Sequence, residues 1–225
     1  MAASAMRSRT RRKFSAILGS PGWMGGAMDE RLVAWARAVK ARRTRSPKTC
    51  TVLWLFTDER RLADPRRSVA KLPRGLAGVV LRHDGDPHRA QLGRALARIC
   101  RARRLALVVA GDVRLAAALG AGVHLRGGRW PDHARTRRGP LTCSAHGPVE
   151  LQRAWRAGAS LAFLSPVFPT ASHPEVAYLG PVRWSRLAQG ARLPVAALGG
   201  VDHATVRRLP PGLCCGVGAI SALAS

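Results

Sequence analysis

The sequence predicts an α/β protein: a compact (β/α)8 TIM barrel preceded by a basic, poorly ordered N-terminal extension. Three observations predict it. Eight short apolar runs recur between residues 52 and 217. Stretches of helical spacing separate many of them, and such alternation marks a parallel sheet with crossover helices. Glycine, hydroxyl, carboxyl and imidazole groups gather at the trailing ends of these runs, where parallel barrels hold their ligands. Residues 1–50 form the extension and residues 51–225 the barrel. The main alternative is an open doubly wound sheet, but no G-x-G-x-x-G follows the first strand. At 175 residues the barrel is short, since roughly 200 is the usual lower end.

The extension differs in composition from the rest. It carries 12 basic and 2 acidic residues, including the run Arg7–Lys13, and Ser20-Pro21-Gly22 and Gly25-Gly26 interrupt regular structure. Residues 29–41 have the spacing of a short helix, with Leu32, Val33, Trp35, Ala36 and Val39 as its apolar positions. A flexible tail, an Arg-rich targeting peptide and an over-extended start, with Met24 and Met28 as alternative initiators, all fit; a tail or an over-extended start is favoured.

The strands then follow in order: Val52–Phe56, Gly78–Arg82, Leu105–Ala110, Gly122–Leu125, Leu141–Ser144, Ser160–Leu164, Pro194–Leu198 and Leu213–Val217. Pro87–Arg103 is the clearest helix, with Leu92, Ala95, Leu96 and Ile99 on one face. Asp112–Leu119, Pro148–Ala157 and Pro181–Ala188 are shorter, and proline near the first helical position suits three of these starts. Glycines at 120 and 158 stop two of them. Residues 131–137 and 202–209 read as stunted helices.

The net charge of +26 invites a nucleic-acid reading, but 34 of the 38 basic residues are Arg, in a chain also rich in Ala, Gly and Pro, as a GC-rich coding sequence would give. A positive field of this size still attracts anions such as phosphorylated metabolites. No apolar run approaches the ~18 residues of a membrane span. Cys50, Cys100, Cys143, Cys214 and Cys215 form no C-x-x-C pair, and read as reduced thiols in a cytoplasmic protein.

If the chain is a barrel, its active groups come from the strand ends. These supply Thr57 and Asp58, Arg82, Asp112, His124, Ser144 and His146, then Thr170, Ser172 and His173. Gly199, Gly200, Gly218 and Ala219 complete the set. Pro166 and Pro169 stop the sixth strand and stiffen the loop beyond it. The glycine turns after strands seven and eight offer backbone N–H groups to a phosphate. His124 reads at least equally well as a core histidine. Trp130 among Arg126, Arg129, Arg135, Arg137 and Arg138 could stack on a base, though a solvated basic loop is favoured.

Six motifs occur in sequence order: Thr57-Asp58, Gly122-Val123-His124-Leu125, Ser144-Ala145-His146, Ser165-Pro166-Val167-Phe168-Pro169-Thr170, Leu198-Gly199-Gly200-Val201 and Gly216-Val217-Gly218-Ala219-Ile220-Ser221. Together they resemble the thiamine-phosphate synthase/TenI superfamily of thiamine biosynthesis over residues 52–223. The resemblance implies a TIM barrel acting on small phosphorylated thiazole and pyrimidine metabolites, with Arg82, Ser144, Thr170, Ser172, His173, Gly199, Gly200, Gly218 and Ala219 binding substrate or phosphate.

Synthases of this superfamily join a pyrimidine methyl pyrophosphate to a thiazole phosphate with Mg2+. Their pyrophosphate and metal pattern is depleted here. Arg82 and Asp112 stay, but Val80, Asp84 and Gly111 replace the Gln, Lys and Asn, and His173 replaces the loop Lys. Asp112 is the metal ligand that remains if Mg2+ is bound; Arg129 stands at the second ligand position. The thiazole-phosphate half is mostly kept.

That split favours a TenI-like thiazole tautomerase, an isomerase in which His146 is the catalytic acid/base. The alternatives are a diverged thiamine-phosphate synthase, a transferase, and a non-catalytic barrel that binds a phosphate metabolite or nucleic acid. No membrane partner is expected, nucleic acid is disfavoured, and a homo-oligomer is compatible with the sequence.

Overall fold

The computed structural model describes residues 29–42, 51–131, 139–170 and 175–224. Along the chain these form α1 (Glu30–Arg42), β1 (Leu53–Phe56), α2 (Arg66–Lys71), β2 (Ala77–Leu81), α3 (Arg89–Arg103), β3 (Ala106–Ala110) and α4 (Val113–Leu119). Then come β4 (Gly122–Arg126), β5 (Leu141–Ala145), α5 (Pro148–Arg156), β6 (Leu161–Leu164), α6 (Gly180–Gln189), β7 (Val195–Leu198) and β8 (Cys214–Ala219). The strands close in sequence order into an eight-stranded barrel. Every adjacent pair is parallel, including β1 with β8. The predicted closed barrel is therefore the observed fold, and the doubly wound alternative is excluded.

Alternation along each strand divides the core. On β1, Leu53 and Leu55 face the helices, while Trp54 and Phe56 point inward with Val80, Val108, Ala110, Phe163 and Ala196. Phe163 meets Trp54 and Phe56 edge to face, with centroids 5.7 and 4.9 Å apart. Such bulk needs small neighbours. Trp54 lies level with Gly78 on one side and Gly218 on the other. A Cβ on Gly78 would stand 2.7 Å from the Trp54 ring, and one on Gly218 would stand 2.6 Å from Phe56. These glycines leave room for aromatic rings inside the barrel.

Helix ends follow local chemistry. Asp112 caps α4, accepting the Leu115 N–H at 2.8 Å. Gly120 ends α4 in the left-handed region at φ 61°. The expected helix over 202–209 contracts to a single 3-10 turn at Val206–Arg208, because the Asp202 carboxylate holds the Ala204 and Thr205 N–H groups in a tight turn and Pro210 and Pro211 follow directly. Residues 132–138, which hold most of the other stunted helix and Arg135, Arg137 and Arg138, lie outside the described residues.

Helix α1 places Leu32, Ala36 and Val39 in the same hydrophobic cluster as the barrel wall. Lys40 Nζ donates to the Gly75 carbonyl at 2.6 Å, and Asp29 pairs with His203. Over residues 29–42 the extension is thus part of the barrel's outer layer rather than a loose tail, because its apolar stripe finds a hydrophobic surface to cover. No helix among the described residues is long and apolar enough to cross a membrane.

Candidate active site at the mouth of the barrel

The loop after β6 and the turn after β7 lock together. Val167 N–H donates to Leu198 O at 2.9 Å and Phe168 N–H to Gly199 O at 3.1 Å. Gly199 and Gly200 adopt φ of 92° and 63°. A Cβ on Gly199 would lie 2.8 Å from Pro166, and one on Gly200 would lie 2.4 Å from the Pro169 carbonyl. The turn therefore needs glycine twice over, for its left-handed backbone and for the loop pressed against it. Thr205 braces the turn from below, its hydroxyl 3.0 Å from Gly200 O. Partial burial raises the Asp202 carboxyl, but hydrogen bonds from Thr205 and Ala204 outweigh it and hold the group below the usual carboxylate range. Thr170 ends the described part of the loop, and Ser172 and His173 lie outside the described residues.

Gly218 and Ala219 belong to β8 rather than to a loop beyond it. The missing Cβ of Gly218 is room for Phe56, so interior packing explains this glycine without a ligand. The following turn is a short 3-10 segment at Ser221–Leu223, where the Ser221 hydroxyl accepts from Arg61 at 2.8 Å.

His146 stands exposed just past β5. Its backbone N–H donates to Glu150 Oε2 at 2.6 Å, and its Nδ1 lies 2.9 Å from the Ser165 carbonyl oxygen. A carbonyl can only accept, so Nδ1 carries a hydrogen and Nε2 is the ring nitrogen turned away from this bond. Ser144, level with Phe163 on β6, is half-buried, its hydroxyl 3.4 Å from the Gly127 N–H. His124 is a core residue. Its Nδ1 meets the Thr142 hydroxyl at 2.9 Å and its ring abuts Phe56 and Phe163. Burial, aided by the nearby Arg82 and Arg126 charges, pulls its pKa down to about 3.

The ends of β2, β3 and β4 form a network of charges. Arg89, in the first turn of α3, reaches back to donate to Ala110 O at 2.6 Å. Its guanidinium lies 3.2 Å from Asp84 and 3.8 Å from Asp112. Arg126 also pairs with Asp84. The Arg126 guanidinium passes over Gly111, about 3.8 Å from where a Cβ would stand. Arg82 is exposed and, like Arg126, close enough to act on His124; Arg129 is exposed, its N–H donating to Arg126 O at 3.1 Å. Beneath them the buried Thr57 hydroxyl accepts the Arg82 N–H at 3.0 Å.

Arg89 was not among the residues singled out from the sequence. Its signal was there: a cation in the first turn of a helix opposes the helix dipole, and α3 has no acidic residue there.

The Mg2+ that the superfamily implies does not fit these residues. One Asp112 oxygen is committed to capping α4, and the Arg89 guanidinium lies between the Asp84 and Asp112 carboxylates. A hard divalent cation needs several oxygen donors. No group of three His, Cys, Asp or Glu among the described residues could hold one.

Fold and site together define a (β/α)8 barrel with a cationic mouth, closed on one side by a proline-stiffened loop seated on a glycine turn. The sequence matches the family described as thiamine monophosphate synthase over residues 53–223, and the chain belongs to that family. It is 36% identical over 142 residues to a thiamine-phosphate synthase of Geobacillus kaustophilus, covering 60% of this chain and 63% of the relative. It is 31% identical over 149 residues to the thiamine-phosphate synthase of Salinibacter ruber, covering 63% and 65%. The chain thus spans just under two thirds of these relatives' length. Among solved structures, thiamine phosphate pyrophosphorylase from Pyrococcus furiosus superposes with a TM-score of 0.66 at 23% identity, covering 80% of this chain and 91% of that one. FabK from Thermotoga maritima superposes at 0.61 with 10% identity, covering 81% and 61%. At these identities the superpositions speak for the fold.

Proposed function

We propose that this barrel is a thiamine-phosphate synthase-type transferase, joining a pyrimidine methyl pyrophosphate to a thiazole phosphate. The observation that carries the reading is the seating of the 165–170 loop on the Gly199–Gly200 turn, a rigid wall across the barrel mouth from the cationic ends of β2–β4. The curated relatives, all bearing the synthase name, support this reading over the tautomerase. In the reaction the C–O bond to pyrophosphate breaks, the thiazole nitrogen bonds to the freed methylene carbon, and pyrophosphate leaves with the electron pair. Charge grows on the departing group, so fixed cations aimed at it lower the barrier. Arg82, Arg126 and Arg129 supply that charge here. Gly199, Gly200 and Thr170, with Ser144, hold the thiazole phosphate. Gly218 and Ala219 contribute through strand packing and backbone. The test is product formation from the two substrates, with Mg2+ and with chelator; no condensation in either condition overturns the reading.

His146 favours a second reading. With Nδ1 turned to the Ser165 carbonyl, its Nε2 faces the site's edge, where a proton-moving tautomerase would use it. Under that reading the His146→Ala variant loses exchange between thiazole isomers while still binding phosphate, and wild-type protein without exchange excludes it. In both readings the partners are small phosphorylated metabolites. Cys100 and Cys143 are free and buried, which supports a reducing, cytoplasmic setting.

A further inference from the structure

The family's metal chemistry and this chain's residues disagree at one place, and the disagreement is itself structured. Three departures meet there. At Gly111, left-handed at φ 67°, the Arg126 guanidinium packs over the backbone, 3.8 Å from where a Cβ would stand. Aspartate at 84 receives both Arg126 and Arg89. Arg89, largely shielded from solvent and tied to Ala110 O, lies between Asp84 and Asp112. Asp84 and Asp112 are therefore each answered by a guanidinium, and the position between the two carboxylates already holds a fixed positive charge. Arg82 and Arg129 make no ion pair with the described residues. Planar guanidinium groups bind phosphoryl oxygens two at a time and need no metal to do so.

We propose that the ends of β2, β3 and β4 bind a diphosphate directly on Arg82, Arg126 and Arg129, with no divalent cation between anion and protein. Arg89 takes the metal's electrostatic part by neutralising Asp84 and Asp112. The inference rests on the synthase reading for the identity of the diphosphate as leaving group. The Arg126–Asp84 pair is the resting state of the site: the incoming anion competes with Asp84 for Arg126.

Calorimetric titration of the full chain with inorganic pyrophosphate at about 0.15 M salt, where the Debye length is about 8 Å, tests this. Pyrophosphate binds in EDTA, and Mg2+ does not tighten it. Arg82→Ala and Arg126→Ala each weaken binding about tenfold. Asp84→Asn, which removes a negative charge and releases Arg126, tightens it several-fold. Arg98→Ala, an equal loss of charge on the exposed side of α3, titrates like the wild type. Binding that appears only with Mg2+ overturns the proposal, as does an Arg98→Ala loss equal to that of Arg126→Ala. Condensation that needs Mg2+, with no pyrophosphate bound in EDTA, defeats this inference and leaves the synthase reading standing. Pyrophosphate bound in EDTA without any condensation does the reverse.

Discussion

Gly200→Ala is the sharpest test of how the mouth is built. At φ 63° an L side chain is strained by about 1–2 kcal/mol. The new methyl would also stand 2.4 Å from the Pro169 carbonyl oxygen and 2.8 Å from Phe168 Cβ. Neither atom can rotate away, because Phe168 is buried and its N–H is bonded to Gly199 O. Overpacking of this kind costs about 1–3 kcal/mol. Restricting the unfolded chain returns about 0.4–1 kcal/mol, so the net loss is about 1–5 kcal/mol, centred near 3. For a chain of this size each kcal/mol moves the midpoint by about 2–4 °C, which puts the expected fall in Tm near 10 °C. The matched control is Gly212→Ala, where nothing lies within 4 Å of the new methyl and the backbone is not left-handed. Thermal melting of the two variants in parallel reads the difference. If Gly200→Ala melts within about 2 °C of Gly212→Ala, the loop is not pressed on the turn as described, and the case for a preorganised phosphate wall fails with it.

Leu32→Ala, at a fully buried position on α1, lowers stability by about 2–5 kcal/mol in denaturant titration; an unchanged midpoint would mean that α1 does not cover the barrel. His124 titrates near pH 6.5 when unfolded but is pulled down to about 3 in the native state. Both states are neutral above that window, and within it the unfolded chain takes up a proton that the native chain refuses, so stability falls with pH by about 1.4 kcal/mol per unit. His124→Gln flattens the dependence of Tm between pH 6.5 and 4, and a slope equal to the wild type refutes the assignment. Burial pushes the Cys100 and Cys143 thiols up to about 12; both resist alkylation at pH 8 in the native protein and react after unfolding, as peptide mass spectrometry would show.

What the sequence disclosed depended on whether the constraint was local. Eight strands were found because each is a short apolar run closed by a turn. Strand β8 runs two residues past its expected end because Gly218 read as punctuation, whereas its bareness serves the Phe56 ring on the neighbouring strand. Helix α2 escaped notice altogether. It has six residues, four of them charged or polar, with Val69 and Ser68 buried, too few positions for a period to emerge. The spacing of Leu32, Ala36 and Val39 did predict α1, but not that a surface awaited it. The 165–170 loop and the Gly199–Gly200 turn were recognised separately, since proline and glycine announce their backbone needs; only the structure shows one resting on the other.

The charged half of the mouth was harder to read for a different reason. Taken position by position, Gly111, Asp84 and Arg129 each look like the loss of a needed group. In space two of them meet at Arg126. Its guanidinium lies over Gly111, and the acid at 84 is what Arg126 and Arg89 hold. Arg89 lies outside every motif of the superfamily pattern and comes from the next helix. A pairwise comparison along the sequence cannot join residues 84, 89, 112 and 126, because their contacts run between strand ends rather than along the chain. Restoring an acid at 129 alone would therefore not recreate a cation site, since the Arg89 guanidinium would still lie between the two carboxylates. The depleted half of the site is better understood as a charge arrangement rebuilt on arginine than as a metal centre that has decayed.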